Sequence, residues 1–387
     1  MTRTHVLIVG GGYAGTMAAN RLRRHPGVDV TLLNPRPAFV ERIRLHQHVT
    51  GSYRADIAYD DLLGDGVRLV VDSADRIDAA DRRVQLASGT TLDYDYLIYA
   101  VGSTGAITPA IPGAAEFSYS ISELEQAQRL LTRLGELRPD APVTVVGGGL
   151  TGIEAASELA GHGRAVTLVC GGILGPSLHA AGRRSVAKAL RKLGVTVREN
   201  VGAAAVRADE VVLFDGTVLP SAVTVWTAGF GVPDLAARSG LATDELGRML
   251  TDETLTSVDN PWIVAAGDSA APSGQPLRMS CQAALPLGAQ AADTVLARIA
   301  GTSPVAVDQA FAAQCISVGR QAGTVQLSRR DDTPTRAFVG GRLGAVVKES
   351  ICKYTVKWIR GEAAKPGSYR WMKGGTRAAS TEQEAAV

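Results

Sequence analysis

Short, unbroken apolar runs that stop at glycine set the rhythm of this chain. Val6, Leu7, Ile8 and Val9 form the first run, and four apolar residues without alternation read as a strand covered on both faces. Residues 16–24 carry a helical mixture of apolar and polar positions. Further strands are predicted at 28–33, 67–71, 74–78 and 83–86, with Ala87-Ser88-Gly89-Thr90 turning a hairpin. Residues 97–100 return as a buried strand, and 109–113 read as a linker. Leucines at 124, 130, 131 and 134 place a helix over 122–137, stopped by Pro139. The rhythm then restarts: an apolar run from Val143, a helix over 152–161, a strand at 165–170 and a helix over 182–193. A second apolar strand inside NPWIVAAGDSA (260–270) ends at Gly267-Asp268, and a helix over 281–300 follows. Beyond Thr302, residues 314–327 and 336–347 read as antiparallel strands with glycine turns. Residues 349–360 read as a helix and the tail from about Gly374 as disordered.

The glycines after the two apolar runs carry the chemistry. Gly10, Gly12 and Gly15 have G-x-G-x-x-G spacing between a strand and a helix. There the first makes a tight turn, the second lets main-chain N–H groups approach a pyrophosphate, and the third lets helix pack on strand. The helix N-terminus adds unsatisfied N–H groups and partial positive charge. Gly147, Gly149 and Gly152 repeat the pattern, and Gly89-Thr90, Leu92 and Gly102 recur as Gly216-Thr217, Leu219 and Gly229 at one constant offset. Two nucleotide-binding units in one chain suggest a flavin meeting a nicotinamide.

Neither unit ends its second strand in the usual ribose-binding acid. Asn34 stands there in the first, able to hydrogen-bond a ribose without charge, and Cys170-Gly171-Gly172 in the second. A missing carboxylate lets a 2′-phosphate approach, with Arg183 or Arg184 as its partner unless both lie on a solvated helix face. The balance leans to NADPH, with NADH open. The segment FVERIRLHQHVTG (39–51) holds Arg42, Arg44, His46 and His48; the histidines are candidate proton donors, but a polar helix more simply makes them surface residues. Asp268 is placed either to hold ribityl hydroxyls or to cap the next helix. In 349–360, Ile351, Cys352, Thr355, Val356 and Ile359 share one face and Lys353, Lys357 and Arg360 another, which suits an anionic membrane surface or docking on the chain's own domain.

Composition adds limits. With 387 residues the chain has room for two or three domains, and 45% apolar with 20% charged residues is ordinary for a globular protein. The net charge of +2 does not point to nucleic acid, and no nucleic-acid partner is expected. Cys170, Cys281, Cys315 and Cys352 form no C-x-x-C pair, so neither a redox dithiol nor a metal site is signalled. No apolar run is long enough to span a membrane. With the first strand at Val6 no leader is expected, and the expected compartment is reducing cytoplasm, with a peripheral position on the inner membrane face as the alternative.

GGGYAG, GGGLTG with Glu154 just after it, WTAGF (226–230) and AAGDSA together resemble the pyridine nucleotide–disulfide reductase superfamily. Without a C-x-x-C, the chain is most similar to type II NADH:quinone dehydrogenases and the apoptosis-inducing-factor-like, ferroptosis-suppressing quinone reductases. The resemblance runs from Val6 to about Trp371. It implies an α/β fold with two Rossmann-like dinucleotide-binding domains: an FAD domain at 1–112 and 246–300, with an NAD(P)H domain at 113–245 inserted in it. A small α+β C-terminal domain at 301–373 and a disordered tail at 374–387 complete it. It assigns Gly10, Gly12, Tyr13, Ala14, Gly15, Asn34, Arg42, Ala100, Gly102, Gly267 and Asp268 to FAD, and Gly147, Gly149, Gly152 and Gly229 to NADH or NADPH. Glu154 and Gln282 are implied beside the reacting rings, as catalytic and cofactor-contacting residues. In the A-Q-x-x-x-Q element of quinone-reducing relatives, Gln282 matches the first glutamine, Cys281 replaces the alanine and Pro286 the second glutamine.

Three functions follow as expectations. The first is hydride transfer from NAD(P)H to FAD and onward to a quinone-like acceptor. The second, favoured by Pro286, is a flavoenzyme acting on a soluble organic substrate, oxygen or a redox partner. The third is a flavin-bearing signalling or interaction protein. Cys281 reads as a buried, inert thiol, and a homodimer stays open.

Overall fold

Two five-stranded parallel sheets are built to one plan. In the computed structural model, which describes residues 3–107 and 109–375, Thr4–Val9 is the central strand of the first sheet. Val28–Asn34 and Val67–Val71 lie to one side of it, Tyr96–Tyr99 and Ile263–Ala265 to the other. The second sheet centres on Pro142–Val146, with Ala165–Val169 and Thr196–Arg198 on one side and Val223–Trp226 and Ser118–Ser120 on the other. Each central strand leads into a helix, Tyr13–Leu22 or Leu150–Gly161, and each unit carries a three-stranded antiparallel ribbon before its return strand. The whole second sheet falls in sequence between Tyr96–Tyr99 and Ile263–Ala265, which are neighbours in the first sheet. One Rossmann-like unit is therefore inserted in the other.

The unbroken apolar runs are explained by burial on both faces. Val6 and Ile8 enter one core and Leu7 and Val9 another, so no position of this strand is left for a polar residue. Both crossover helices start earlier than the apolar spacing suggested, directly after Gly12 and Gly149, which take their N-cap positions. The segment 39–51 is not one helix. It folds as a strand at Ala38–Val40, a 3-10 turn at Arg42–Arg44 and one helical turn at Leu45–His48.

The chain ends in a three-stranded antiparallel sheet, Ala313–Ser317, Gly323–Ser328 and Pro334–Gly340, followed by the long helix Gly341–Ala364. The expected strand over 336–347 therefore stops at Gly340, and the helix begins well before 349. Gly341, at φ +64°, breaks the strand, and Gly344 lets the helix pass against the main chain of Gly323, where a Cβ would collide. Of the tail expected to be disordered at 374–387, residues 376–387 lie outside the described residues, while Gly374 N–H donates to Asp308 Oδ1 (2.5 Å).

Helix Tyr13–Leu22 is buried along its whole length. Two later helices, Cys281–Ile299 and Gly341–Ala364, pack on it. Arg21 pairs with Asp293 (2.7 Å) and Glu362 (3.3 Å), and Asn20 Nδ2 donates to the carbonyls of Leu62 (2.8 Å) and Ile359 (3.3 Å).

Candidate functional site

The first glycine turn opens on a cleft of about 480 Å³. Gly10, Gly12, Tyr13, Ala14, Asn34, Arg42, Ala100, Gly102, Gly267 and Asp268 line it, bringing together ten of the residues assigned to FAD. Gly15 lies behind the wall, where a Cβ would strike the Gly10 carbonyl oxygen. Gly12 is different: a Cβ there would meet no protein atom and would project into open space. With no side chain capping the helix that follows, this N-terminus is shaped to receive a phosphate. The fit to a dinucleotide continues at Asp268, which accepts a hydrogen bond from Ser103 Oγ (2.7 Å). Arg42 reaches Ser103 Oγ (3.1 Å) and the Ser122 carbonyl (3.0 Å). Asp268 lies inside a single 3-10 turn, Gly267–Ser269, rather than capping the helix that follows, which Ser280 caps.

Asn34 is already occupied. Its Oδ1 accepts from Gly11 N–H (2.9 Å) and its Nδ2 donates to the Arg36 carbonyl (2.8 Å). The asparagine that sequence offered to a ribose thus clamps the glycine turn itself.

The second turn repeats the main-chain bonds that frame the first. Gly10 N–H donates to Leu33 and Gly147 N–H to Val169, both at 2.8 Å, and the return strands join through Ala100 to Val9 and Thr227 to Val146, both at 2.8 Å. Gly10 and Gly147 both have positive φ, 105° and 124°. A Cβ on Gly152 would strike the Gly147 carbonyl oxygen, and one on Gly149 would meet nothing, as at Gly15 and Gly12. Gly229 turns at φ +89° beyond the return strand.

Glu154 does not line the cleft. It sits on helix Leu150–Gly161 where the two units and the C-terminal sheet meet, with a buried carboxylate held from three sides. Lys348 Nζ lies 3.0 Å from Oε1, Ser317 N–H donates to Oε1 (2.9 Å) and His46 Nδ1 lies 3.5 Å from Oε2. Burial alone would raise the Glu154 pKa, but the Lys348 ammonium and His46 outweigh it and hold the group below the usual carboxylate range. Burial pulls Lys348 down, yet the Glu154 charge prevails and raises it. Burial keeps His46 below its ordinary value, and its Nε2 finds no partner. His46 and His48 are thus interior residues, 4% and 9% exposed, and not the surface pair that a polar helix implied.

Lys348 also donates to the Cys315 carbonyl (3.3 Å), and the Cys281, Cys315 and Cys352 thiols surround it closely enough to feel its charge. Burial pushes Cys281 up to about 12 and Cys315 to about 11, so these thiols stay protonated and unreactive. Gln282 does not reach the cleft. Its side chain joins the C-terminal strands, donating to Ala313 O (3.0 Å) and accepting from Ala312 N–H (3.1 Å), while its carbonyl accepts from Gln309 (3.0 Å). Pro286 lies buried within helix Cys281–Ile299. Lys348 escaped the sequence reading. The available signal was a lysine in line with Ala345, Cys352, Thr355 and Ile359, on the inward stripe of its helix.

With this geometry described, likeness to known proteins is informative. The model of the family described as pyridine nucleotide-disulphide oxidoreductase matches residues 4–292. An NADH dehydrogenase-like protein of Mycobacterium tuberculosis is 34% identical over 323 residues, covering 76% of this chain and 80% of that protein. The type II NADH:quinone oxidoreductase Ndh of the same species is 29% identical, covering 78% and 74%. Among solved structures, the sulfide:quinone oxidoreductase of Aquifex aeolicus superposes with a TM-score of 0.79 at 20% identity, covering 94% of this chain and 93% of that one. The NDH2 structure from Plasmodium falciparum in complex with NADH gives 0.79 at 14% identity, covering 95% and 99%; at such identities the likeness is one of fold.

Proposed function

Because the chain belongs to the pyridine nucleotide-disulphide oxidoreductase family, we infer that it is an FAD-dependent NAD(P)H oxidoreductase serving a quinone-like acceptor. The bound cofactors supply the redox chemistry, a hydride passing from nicotinamide to flavin and electrons passing on to the acceptor. One observation carries the reading: a strand–glycine–helix cradle built twice with the same main-chain bonds and the same two unobstructed glycines. The named relatives, among them a demethylphylloquinone reductase of Synechocystis at 27% identity, support a quinone as acceptor over the soluble-substrate and signalling alternatives.

The chain's own residues bind, orient and hold protons. Gly12 and the helix N-terminus behind it receive the flavin pyrophosphate, Asp268 and Ser103 hold the hydroxyls beyond it, and Gly147, Gly149 and Gly152 do the same work for NAD(P)H. Glu154 and Lys348 form a charged pair at the meeting of the units, where the Glu154 charge keeps Lys348 Nζ protonated.

The C-terminal helix supports a peripheral membrane position. Tyr354 and Trp358 lie exposed with ring centroids 5.9 Å apart, and Lys357 Nζ lies 5.1 Å from the Tyr354 ring. Aromatic rings beside lysines suit the interface of an anionic bilayer. Among the described residues no helix is long and apolar enough to cross a membrane.

The test is anaerobic stopped-flow reduction of the flavin-loaded protein, followed near 450 nm with NADH and NADPH, then re-oxidation with a water-soluble quinone. Rapid bleaching and quinone-driven recovery are expected. A bound flavin that neither nucleotide bleaches would overturn the assignment.

A further inference from the structure

We propose, resting on the NAD(P)H role of the second unit, that this unit selects NADPH, with Arg198 holding the 2′-phosphate and Phe214 covering the adenine. The internal repeat locates the pocket. In the first unit the cleft runs from the glycine turn past Asn34 to Asp72 and Ser73, just beyond strand Val67–Val71. Ala87 N–H closes that end on the Ser73 carbonyl (2.9 Å), and in the second unit Phe214 N–H closes on Gly202 (3.0 Å). Val201 N–H donates to the Cys170 carbonyl (3.2 Å) as Asp72 N–H does to Asn34 (3.1 Å), so Val201 and Gly202 stand where Asp72 and Ser73 do, with Cys170 and Arg198 on the adjoining strand ends.

Charge at that end favours a phosphate. Cys170 occupies the strand end where an acid would bind the ribose 2′-hydroxyl and repel a 2′-phosphate. Burial holds this thiol neutral, its pKa pushed up to about 12. Gly171 and Gly172 follow, and a Cβ on either would meet nothing, so the space beside the strand end is open. The Arg198 carbonyl accepts from Cys170 N–H (2.8 Å), which fixes that residue directly alongside. Its side chain is exposed and makes no hydrogen bond or ion pair to a described residue; the nearby Asp215 carboxylate is engaged by Thr217 N–H (2.9 Å). The neighbouring acid, Glu199, is likewise engaged by Leu174 N–H through Oε1 (2.7 Å). An unpaired guanidinium beside a neutral strand end is the arrangement a dianionic phosphate needs.

Phe214 supplies the apolar half. It is 70% exposed, the highest among the large hydrophobic residues described, and a Cβ on Gly202 would stand 3.2 Å from its ring. A flat, solvent-facing ring over a bare glycine offers a stacking surface to a purine. Arg183 and Arg184, the partners suggested by sequence, sit instead on a helix whose Gly182 and Ser185 face the C-terminal strands.

Calorimetric titration of the flavin-loaded protein with 2′,5′-ADP and with 5′-AMP tests the proposal without turnover. The 2′-phosphorylated nucleotide is expected to bind at least about tenfold tighter. Arg198→Ala should lose about 10- to 100-fold for 2′,5′-ADP and less than about twofold for 5′-AMP. Phe214→Ala should weaken both by about tenfold. Equal binding of the two nucleotides, binding of neither, or discrimination that survives Arg198→Ala would overturn it. A wild-type protein that selects 2′,5′-ADP but shows no bleaching would support the pocket while removing the oxidoreductase reading.

Discussion

Replacing Lys348 by Met removes one charge from a buried junction and leaves its partner behind. The ammonium and the Glu154 carboxylate are 3.0 Å apart, with side chains 12% and 11% exposed. At an effective dielectric of about 20, unit charges at that distance attract by about 5–6 kcal/mol before desolvation is subtracted. Breaking a buried pair by deleting one member costs about 3–5 kcal/mol, because the other charge stays buried and uncompensated. For a chain of 387 residues, that is a fall of roughly 4–6 °C in melting temperature. The loss should depend on pH in a defined direction. Lys348 is among the groups that hold the His46 pKa down, and Glu154 among those that raise it. Without Lys348, one of the charges holding the His46 pKa down is gone, so that pKa lies closer to its unfolded value than in the wild type. A histidine whose folded pKa is depressed costs stability as pH falls through its unfolded pKa, by at most about 1.4 kcal/mol per pH unit, and the variant loses less in this way than the wild type. Melting of wild type and Lys348→Met from pH 8.5 to 5.5 should therefore show the gap narrowing toward acid. A gap that stays constant across that range would refute the coupling of His46 to the pair, and a gap under about 1 kcal/mol at pH 8.5 would refute its burial.

Three further outcomes follow. Gly12→Val, whose side chain would enter the cleft and touch no protein atom, should purify folded by circular dichroism but without yellow flavin; full flavin content would remove the cleft assignment. Asp268→Ala should lower flavin affinity by about 10-fold or more, since it removes the carboxylate that Ser103 orients, and flavin release on dilution measures this. Tyr354→Ser with Trp358→Ser should lower co-sedimentation with anionic vesicles several-fold while leaving flavin reduction in solution unchanged; equal sedimentation of mutant and wild type would count against membrane contact.

What could be read from sequence was whatever local sterics dictate. The glycine turns were legible because Gly10 and Gly147 need positive φ beside a strand that the apolar runs already announce. The repeat itself was legible from residue spacing. What sequence left out depends on neighbours distant along the chain. His46 looked like a surface residue because its own segment is polar, yet helices Leu150–Gly161 and Gly341–Ala364 cover it. Lys348 fell between the expected strand at 336–347 and the expected helix at 349–360, and its role depends on Glu154, distant along the chain. The start of the last helix was hidden by Gly340, Gly341 and Gly344, which look like turn residues until Gly323 is brought against them. Asn34 matched a ribose-binding position, but only the folded turn shows that both ends of its amide are taken.

The clamp on helix Tyr13–Leu22 bears on how the protein is made. The glycine turn proposed to receive the flavin is encoded near position 10, but the helix behind it is pinned by Asp293 and Glu362, the latter 341 positions after Arg21. A ribosome will have translated most of the message before either partner emerges, so the nascent turn has neither its charged anchors nor its covering helices. Flavin capture is therefore a late event in biosynthesis, and chains halted before Glu362 should leave the ribosome without the cofactor.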